Sequence, residues 1–174
     1  ERPKKISALT KQQYPDGIPA FGTDALRFTY YSLASTGRDI KFDIGRIQGY
    51  RNFCNKIWNA ARYVLSNTQS LDLSREMSPN TKNTYDKWII SSLNSTIENV
   101  RNSLANYRFD LASNYLYEFI RTDYCDWYLE FSKTILSSEN NSDINEVKTT
   151  SGQVFKEILI LLHPFIPFIT EELW

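Results

Sequence analysis

Apolar residues recur at steps of three and four through most of this 174-residue chain, and that spacing restricts its fold more than any other feature. The pattern is clearest from Ile44 to about Ser66. Its apolar members are Ile47, Tyr50, Cys54, Ile57, Trp58, Ala61, Val64 and Leu65. Because an α-helix turns once every 3.6 residues, these positions share one face, and the segment is predicted to be a helix of about six turns.

The same spacing predicts further helices along the chain. They cover the segment DALRFTYYSLAS, which Thr23 or Asp24 caps and Gly37 ends, residues 85–104, about 110–136, about 145–162, and a sixth that Thr170 begins. Asp43 is the predicted N-cap of the helix that starts at Ile44. No stretch alternates apolar and polar residues as a half-buried strand does. The chain is therefore predicted to be all-α, an antiparallel bundle of about five helices.

Two segments are predicted to be connections. Residues 1–22 contain Pro3, Pro15 and Pro19, which interrupt any long helix, so we expect 1–22 to be a connector and 23–174 to be the bundle. Residues 137–150 are polar and acidic, which is typical of a loop. The one methionine, Met77, is internal, so we expect the chain to be a piece of a larger protein that stops within its last helix.

Composition excludes several classes of protein. Hydrophobic residues make up 41% of the chain and charged residues 23%, as in a folded domain. The longest aliphatic run, Ile158 to Leu162, is far shorter than the about 20 residues that cross a bilayer, and the first residues lack the apolar stretch of a signal peptide. Two cysteines without CxxC spacing, Cys54 and Cys125, argue against a metal site and fit a reducing, cytoplasmic compartment.

The net charge of zero conceals an uneven distribution. Residues 1–65 hold 11 Lys and Arg against 5 Asp and Glu, whereas residues 66–174 hold 9 against 15. The first third of the chain can therefore supply a local basic surface for a polyanion. The alternative is that the two parts neutralise each other on a solvated surface.

Nothing in the sequence predicts catalysis. His163, between Leu162 and a proline at a helix end, is expected to donate to terminal helix carbonyls. A thiol enzyme that uses Cys125, His163 and Asp126 is a formal alternative, but cysteines on apolar helix faces are usually inert. No phosphate-binding loop, dinucleotide fingerprint, zinc-protease or nucleophile-elbow motif occurs. We therefore predict no catalytic residue and no metal ligand.

Binding is the better-supported prediction. At 100° per residue, one side of the predicted 44–66 helix carries amides and guanidiniums opposite its apolar face. These residues are Gln48, Arg51, Asn55, Asn59 and Arg62, with Asn52 beside them and Arg38 and Lys41 just before the helix. Amides suit base edges and arginine suits phosphate, so the side resembles a surface for single-stranded RNA. The alternative is that the asparagines cap loops or bridge to neighbouring helices.

A concentration of aromatic residues lies at Tyr124, Trp127, Tyr128 and Phe131. Most of them are needed for the core of a bundle. Because Trp127 and Tyr128 are consecutive, they differ by about 100° around a helix axis, and both cannot easily be interior. One of them is therefore a candidate platform on which an unpaired base stacks.

Five segments of the sequence together are typical of one protein family. They are GTDALRFTYYSLASTGRDIKFD, GYRNFCNKIWNAARYVL, YRFDLASNYLYEF, CDWYLEFSK and LLHPFIPFITEELW. In this order and spacing, from about residue 10 to residue 174, the chain resembles the anticodon-binding helical domain of valyl-tRNA synthetases. Synthetases for isoleucine, leucine and methionine share the bundle and have similar C-terminal segments. The residues of the first two segments resemble those of the valine enzymes specifically.

The resemblance implies a division of labour. The full enzymes of this family attach valine to its tRNA with ATP and Mg in a catalytic domain and edit mischarged threonine in another. Their HIGH-like and KMSKS-like motifs do not occur in this chain. A member of this kind would bind the anticodon stem-loop of valine tRNA, dock on the missing catalytic domain of the same chain, need no cofactor of its own and act as a monomer. A helical protein-interaction module is the alternative function.

The resemblance also assigns residues to the RNA. They are Arg51, Asn55, Asn59, Arg62 and Trp127, with Arg38 and Lys41 as phosphate contacts. One position departs from the family pattern, because Arg121 stands where an aromatic residue is usual. It either adds a basic contact near Trp127 or marks a local repacking.

Overall fold

The periodic apolar segments are helices. The structure, a computed structural model, describes residues 2–35, 40, 43–69, 71, 81–138 and 141–174, and every regular element in those ranges is helical, which confirms the predicted all-α bundle. The α-helices are α1 (Arg2–Gln13), α2 (Thr23–Leu33), α3 (Ile44–Thr68), α4 (Thr84–Ala105), α5 (Phe109–Glu118), α6 (Leu129–Leu136), α7 (Asn141–Leu162) and α8 (Pro167–Leu173). Between α5 and α6 lies the π segment, a π-helix of ten residues from Phe119 to Tyr128.

One continuous core joins α2 to α8 and the π segment, whereas the described side chains of α1 are exposed. α7 packs against α3, α4 and α6, and α5 packs against α2 and α4. The fully buried side chains include Phe28 of α2, Ile57 of α3, Leu93 of α4, Leu116 of α5 and Ile158 of α7. Each such burial contributes about 1.5–3 kcal/mol, so the apolar face of every long helix fixes its orientation in the bundle.

Some helix ends are as predicted and others are not. The carboxylate of Asp43 accepts the N–H of Gly45 at 2.9 Å, which confirms it as the N-cap of α3. The predicted cap of α2 by Thr23 or Asp24 is wrong, because Gly22 precedes the helix and no side chain caps it. The predicted end of α2 at Gly37 lies outside the described residues, and the helix ends at Leu33.

Asp24 serves a different helix. Its buried carboxylate accepts the N–H of Ile169 at 2.7 Å and that of Phe168 at 3.4 Å. These N–H groups belong to the first turn of α8, where backbone donors have no partner within the helix. Asp24 therefore caps α8 from across the bundle.

His163 does not have the predicted role at the end of α7. Arg27 of α2 donates from Nε to the Phe165 carbonyl at 3.1 Å and from Nη2 to the Pro164 carbonyl at 3.0 Å. His163 instead pairs its Nδ1 with the hydroxyl of Thr170 at 2.9 Å. A guanidinium with its fork of donors serves two adjacent carbonyls better than one imidazole N–H does.

Two predicted connections contain helix. Residues 1–22, expected to hold no long helix, include the 12 residues of α1. Pro3 falls in the first turn, where a missing N–H costs nothing, and Pro15 follows the last turn. The predicted loop at 137–150 is shorter than expected, because α7 begins at Asn141. The polar residues there occupy the exposed first turns of a helix.

The capping of α8 by Asp24 gives a testable prediction. Replacing Asp24 with alanine leaves the two N–H groups without an acceptor, so Asp24→Ala is expected to lower the free energy of unfolding by about 1–2 kcal/mol in urea titrations. Asp16→Ala, a matched change at an exposed residue, is the control and should change it by less than about 0.5 kcal/mol. Equal losses for the two variants would contradict the assignment.

Candidate nucleic-acid interface

The side of α3 opposite the core is open to solvent. Phe53, Ile57 and Val64 are buried on one side of this helix. The residues on the opposite side, here named the polar stripe, are all exposed: Gln48, Arg51, Asn52, Asn55, Asn59 and Arg62. The helical period of 3.6 residues produces both faces from one sequence pattern.

Most polar groups of the stripe have no partner among the residues that the structure describes. Gln48 donates its amide N–H to the amide oxygen of Asn52 at 3.2 Å. Arg51, Asn55 and Asn59 form no side-chain hydrogen bond or ion pair with any described residue, and the same holds for Arg62. The stripe therefore presents amide donors and acceptors and two guanidiniums to a ligand.

A groove of about 300 Å³ borders the stripe on the side of the π segment and α6. Asn59 lines it together with Lys56, whose ammonium pairs with Asp126. Further along, the ammonium of Lys133 lies 5.8 Å from the centre of the Tyr63 ring and pairs with a Glu130 oxygen at 2.6 Å. Because exposed ion pairs of this kind are worth at most about 1 kcal/mol, both lysines can exchange their carboxylate for a phosphate.

The π segment carries Trp127 between two buried tyrosines. In this segment hydrogen bonds reach back five residues, as from the Leu129 N–H to the Tyr124 carbonyl. The rings of Tyr124 and Tyr128 are fully buried and nearly parallel, with centroids 5.9 Å apart. Trp127 is 53% exposed, so of the two consecutive aromatic residues Trp127 is the one that faces solvent.

Trp127 belongs to a row of aromatic rings. Its ring lies 5.7 Å from that of Phe131 at an interplanar angle of 32°. Phe131 in turn stacks on Tyr85 of α4 at 4.6 Å and 24°. We call Trp127, Phe131 and Tyr85 the aromatic row. Tyr85 begins the helix predicted at 85–104, and its exposure of 43% places it at the surface and not in the core.

Arg121 is exposed beside α3. Its guanidinium lies 5.6 Å from the centre of the Tyr117 ring, and Nη1 donates to the Tyr117 hydroxyl at 3.1 Å. The Tyr117 ring contacts those of Tyr50 and Phe53 on α3, with centroids 5.7 and 4.9 Å apart. The arginine at this position therefore adds an accessible positive charge next to the helix that carries the stripe.

The structure brings some of the predicted site residues together. Arg51, Asn55, Asn59 and Arg62 share one face of α3, and the pair of Lys56 with Asp126 joins that helix to the π segment immediately before Trp127. The ring contact of Trp127 is with the aromatic row, not with the stripe. Arg38 and Lys41 lie outside the described residues.

No reactive centre is formed by the cysteines. Burial, together with the nearby carboxylate of Asp24, raises the pKa of Cys54 to about 12, and burial raises the pKa of Cys125 to about 12. Cys125 lines the groove beside α3, whereas His163 bonds to Thr170 at the start of α8. Among the described residues no three His, Cys, Asp or Glu side chains gather to hold a metal ion. The helices of the described ranges likewise include none with the length and apolarity of a membrane span.

The raised pKa of the two thiols gives a second testable prediction. The thiolate is the nucleophile, and an ordinary cysteine has a pKa of about 8.5, so at pH 8 the thiolate content of Cys54 and Cys125 is lower by roughly three orders of magnitude. We expect iodoacetamide to modify the folded protein correspondingly slowly at pH 8, as followed by mass spectrometry. The same protein in urea is the control and should react at the rate of a free thiol. A fast-reacting cysteine in the folded protein would contradict the prediction.

Comparison with known proteins agrees with this geometry. Residues 86–174 match the model of the family described as the anticodon-binding domain of tRNA ligase. The valine–tRNA ligase of Coxiella burnetii is 51% identical over 173 residues, which are 98% of this chain and 19% of that protein. The valine–tRNA ligase of Legionella pneumophila strain Lens is 51% identical over 172 residues, with the same coverage of 98% and 19%. The chain thus spans about a fifth of the length of the curated relatives it matches.

A solved structure has a similar fold. The LeuRS of Agrobacterium radiobacter, crystallised in a ternary complex with tRNA and LeuAMS, matches over 97% of this chain and 18% of that protein. The TM-score is 0.70 at 18% sequence identity, so the likeness is one of fold. With the family match extending over more than half of its residues, this chain belongs to the anticodon-binding domains of tRNA ligases.

Proposed function

We propose that this chain is the tRNA-binding domain of a valine–tRNA ligase. It binds the anticodon stem-loop of valine tRNA with the polar stripe and Trp127, orients the tRNA, and performs no bond-making or editing step itself. The 51% identity to two valine–tRNA ligases over nearly the whole chain supports the choice of valine. Attachment of valine with ATP and Mg belongs to the catalytic part of the longer protein.

The observation that carries this proposal is that the stripe is exposed and that Arg51, Asn55, Asn59 and Arg62 in it form no side-chain hydrogen bond or ion pair with any described residue. Asn55 and Asn59 each offer an amide that can both donate to and accept from a base edge. Arg51 and Arg62 supply charge for phosphates or a flat surface for a base. RNA loops present unpaired bases, and groups of this kind can bind the edges of such bases. The anticodon lies in a loop of the tRNA. Arg38 and Lys41, on the chain just before α3, are proposed to add phosphate contacts.

Trp127 supplies the stacking part of the proposed surface. An exposed indole next to two further rings is a site where an unpaired base gains about 1–3 kcal/mol. Lys56, on α3 itself, and Arg121, beside that helix, contribute positive charge, which favours the RNA backbone. We further propose that the protein works in the cytoplasm as a monomer, with the catalytic domain of its own chain as its protein partner.

A second candidate function is that of a protein-interaction module. Trp174 is 68% exposed and lines two grooves beside α7, while Leu65 of α3 is 49% exposed on the edge of one of them. Apolar exposure of this kind favours a protein partner at the α7–α8 end of the bundle. A salt titration separates the two functions, because RNA affinity falls steeply with ionic strength and binding through an apolar interface does not.

The stripe gives a third testable prediction. Arg62→Ala is expected to weaken binding of a valine-tRNA anticodon hairpin by about 1–3 kcal/mol, because it removes a base or phosphate contact, while thermal stability is unchanged. If the lost contact is to phosphate, the salt dependence of log Kd also falls by about one. Fluorescence anisotropy at several salt concentrations measures both quantities.

Arg101→Ala is the matched control, since Arg101 is an exposed arginine on α4, away from α3. It should leave the hairpin affinity unchanged. If Arg62→Ala lowered the melting temperature and left the affinity intact, the residue would belong to the scaffold and the proposed surface would be wrong.

Trp127 gives a fourth testable prediction. When bases stack on its indole, adding the same hairpin is expected to quench part of the tryptophan fluorescence. Trp127→Phe should remove that quench, whereas Trp174→Phe, at an even more exposed tryptophan at the end of α8, should retain it. An undiminished quench in Trp127→Phe would exclude this residue as the platform.

A further inference from the structure

The π segment is held in place by its neighbours. A π-helix is rare and is usually a single turn, so a run of ten residues requires contacts from outside the helix to maintain it. Four such contacts lie close together. Asp123 accepts from the Ser92 hydroxyl, Tyr124 donates to the Ser151 carbonyl, Asp126 pairs with Lys56, and Tyr128 donates to Asp86. These contacts tie four side chains of the segment to α3, α4 and α7.

The contact of Tyr128 with Asp86 is the most deeply buried of these that joins two side chains. Asp86 has no exposed surface, and its Oδ1 accepts from the Tyr128 hydroxyl at 2.7 Å. Its Oδ2 accepts from Thr150 at 3.1 Å and lies 3.3 Å from the Thr81 hydroxyl, which shares its proton with the closer carboxylate of Glu146. Burial raises the pKa of the Asp86 carboxyl, whereas the hydrogen bonds from Tyr128 and Thr150 lower it. A buried carboxylate is costly to leave without hydrogen bonds, and the hydroxyls around Asp86 come from three separate parts of the chain.

The register of the π segment decides where Trp127 points. Hydrogen bonds to the fifth residue back give each turn about one residue more than an α-turn has. Converting one such turn to an α-turn rotates every later side chain by about 100° relative to the preceding helix. Such a rotation would carry Trp127 out of the aromatic row and move Tyr128 away from Asp86.

We propose that Asp86 is a positioning residue for Trp127. By accepting the hydroxyl of Tyr128 it fixes the register of the π segment in which the next residue back, Trp127, faces solvent beside Phe131 and Tyr85. The ring of Tyr128 alone does not specify this register, because a phenylalanine ring would fill the same volume. The hydrogen bond from the Tyr128 hydroxyl to Asp86 requires the side chain to point towards α4. The relevance of this device for RNA rests on the proposed function, but the positioning itself does not.

The test removes, one at a time, the hydroxyl groups that donate to the carboxylate of Asp86. Tyr128→Phe deletes the hydroxyl on the π segment, and Thr150→Val deletes one on α7, so both leave two hydroxyls beside Asp86. The protein is labelled with 5-fluorotryptophan, the Trp127 signal is assigned with Trp127→Phe, and the ¹⁹F spectrum is recorded well below the melting temperature. We expect a second or shifted Trp127 resonance in Tyr128→Phe and an unaltered one in Thr150→Val.

Two results would overturn the proposal. One is a wild-type Trp127 resonance in Tyr128→Phe; the other is the same change in both variants, which would indicate general loosening. If Tyr128→Phe does not fold, Asp86→Asn takes its place, since it keeps the shape and weakens the acceptor. It is expected to show the second Trp127 resonance at lower population, and a single unshifted resonance would again overturn the proposal.

A binding measurement separates this inference from the proposed function. With the valine-tRNA anticodon hairpin, Tyr128→Phe is expected to bind about tenfold more weakly than Thr150→Val, the equivalent of one stacked base. If the ¹⁹F signal moves as expected but the hairpin affinity does not change, Asp86 still positions Trp127, and it is the role of Trp127 in RNA binding that fails.

Discussion

The burial of one face of α3 is the constraint on which the rest of this molecule depends. Ile57 and Ala61 have no exposed surface, and α2 and α7 pack against the helix from the core side. Each large apolar side chain buried there contributes about 1.5–3 kcal/mol, which far exceeds what any single surface contact contributes. The rotation of α3 about its axis is therefore fixed, and the position of the polar stripe in solvent is a consequence of packing on the other side.

Features that depend on local spacing could be predicted from the sequence, and features that depend on distant partners could not. The helices α2, α3 and α4 follow from periodicity, and the N-cap Asp43 follows from a bond to a residue two positions away. Asp24 was assigned to its own helix because its true partners, Phe168 and Ile169, are remote in sequence. The π segment was predicted as ordinary α-helix, since its register is set by contacts from three other helices.

The candidate site divides in the same way. The stripe follows from counting residues around one helix, and its members lie on one exposed face. The aromatic row combines Tyr85 at the start of α4 with Trp127 and Phe131, so no single periodic segment contains it. Arg121 could be identified as unusual, but its place over Tyr117 and beside α3 required the tertiary structure. Surfaces made by one helix are visible in a sequence, and surfaces assembled from two are not.

The ties between α2 and the α7–α8 turn bear on how the molecule is made. Asp24 and Arg27 bond to backbone groups that lie 137 to 145 residues further along the chain. A ribosome adds about 5–20 residues per second, so α2 is without these partners for roughly ten seconds or more after its own synthesis. Contacts of such long sequence separation also slow folding, since a large loop must close before they form. During that interval Phe28 can pack on Tyr50 and Phe53 of α3 but still lacks the ring of Phe165, which lies 6.1 Å from its own in the folded protein.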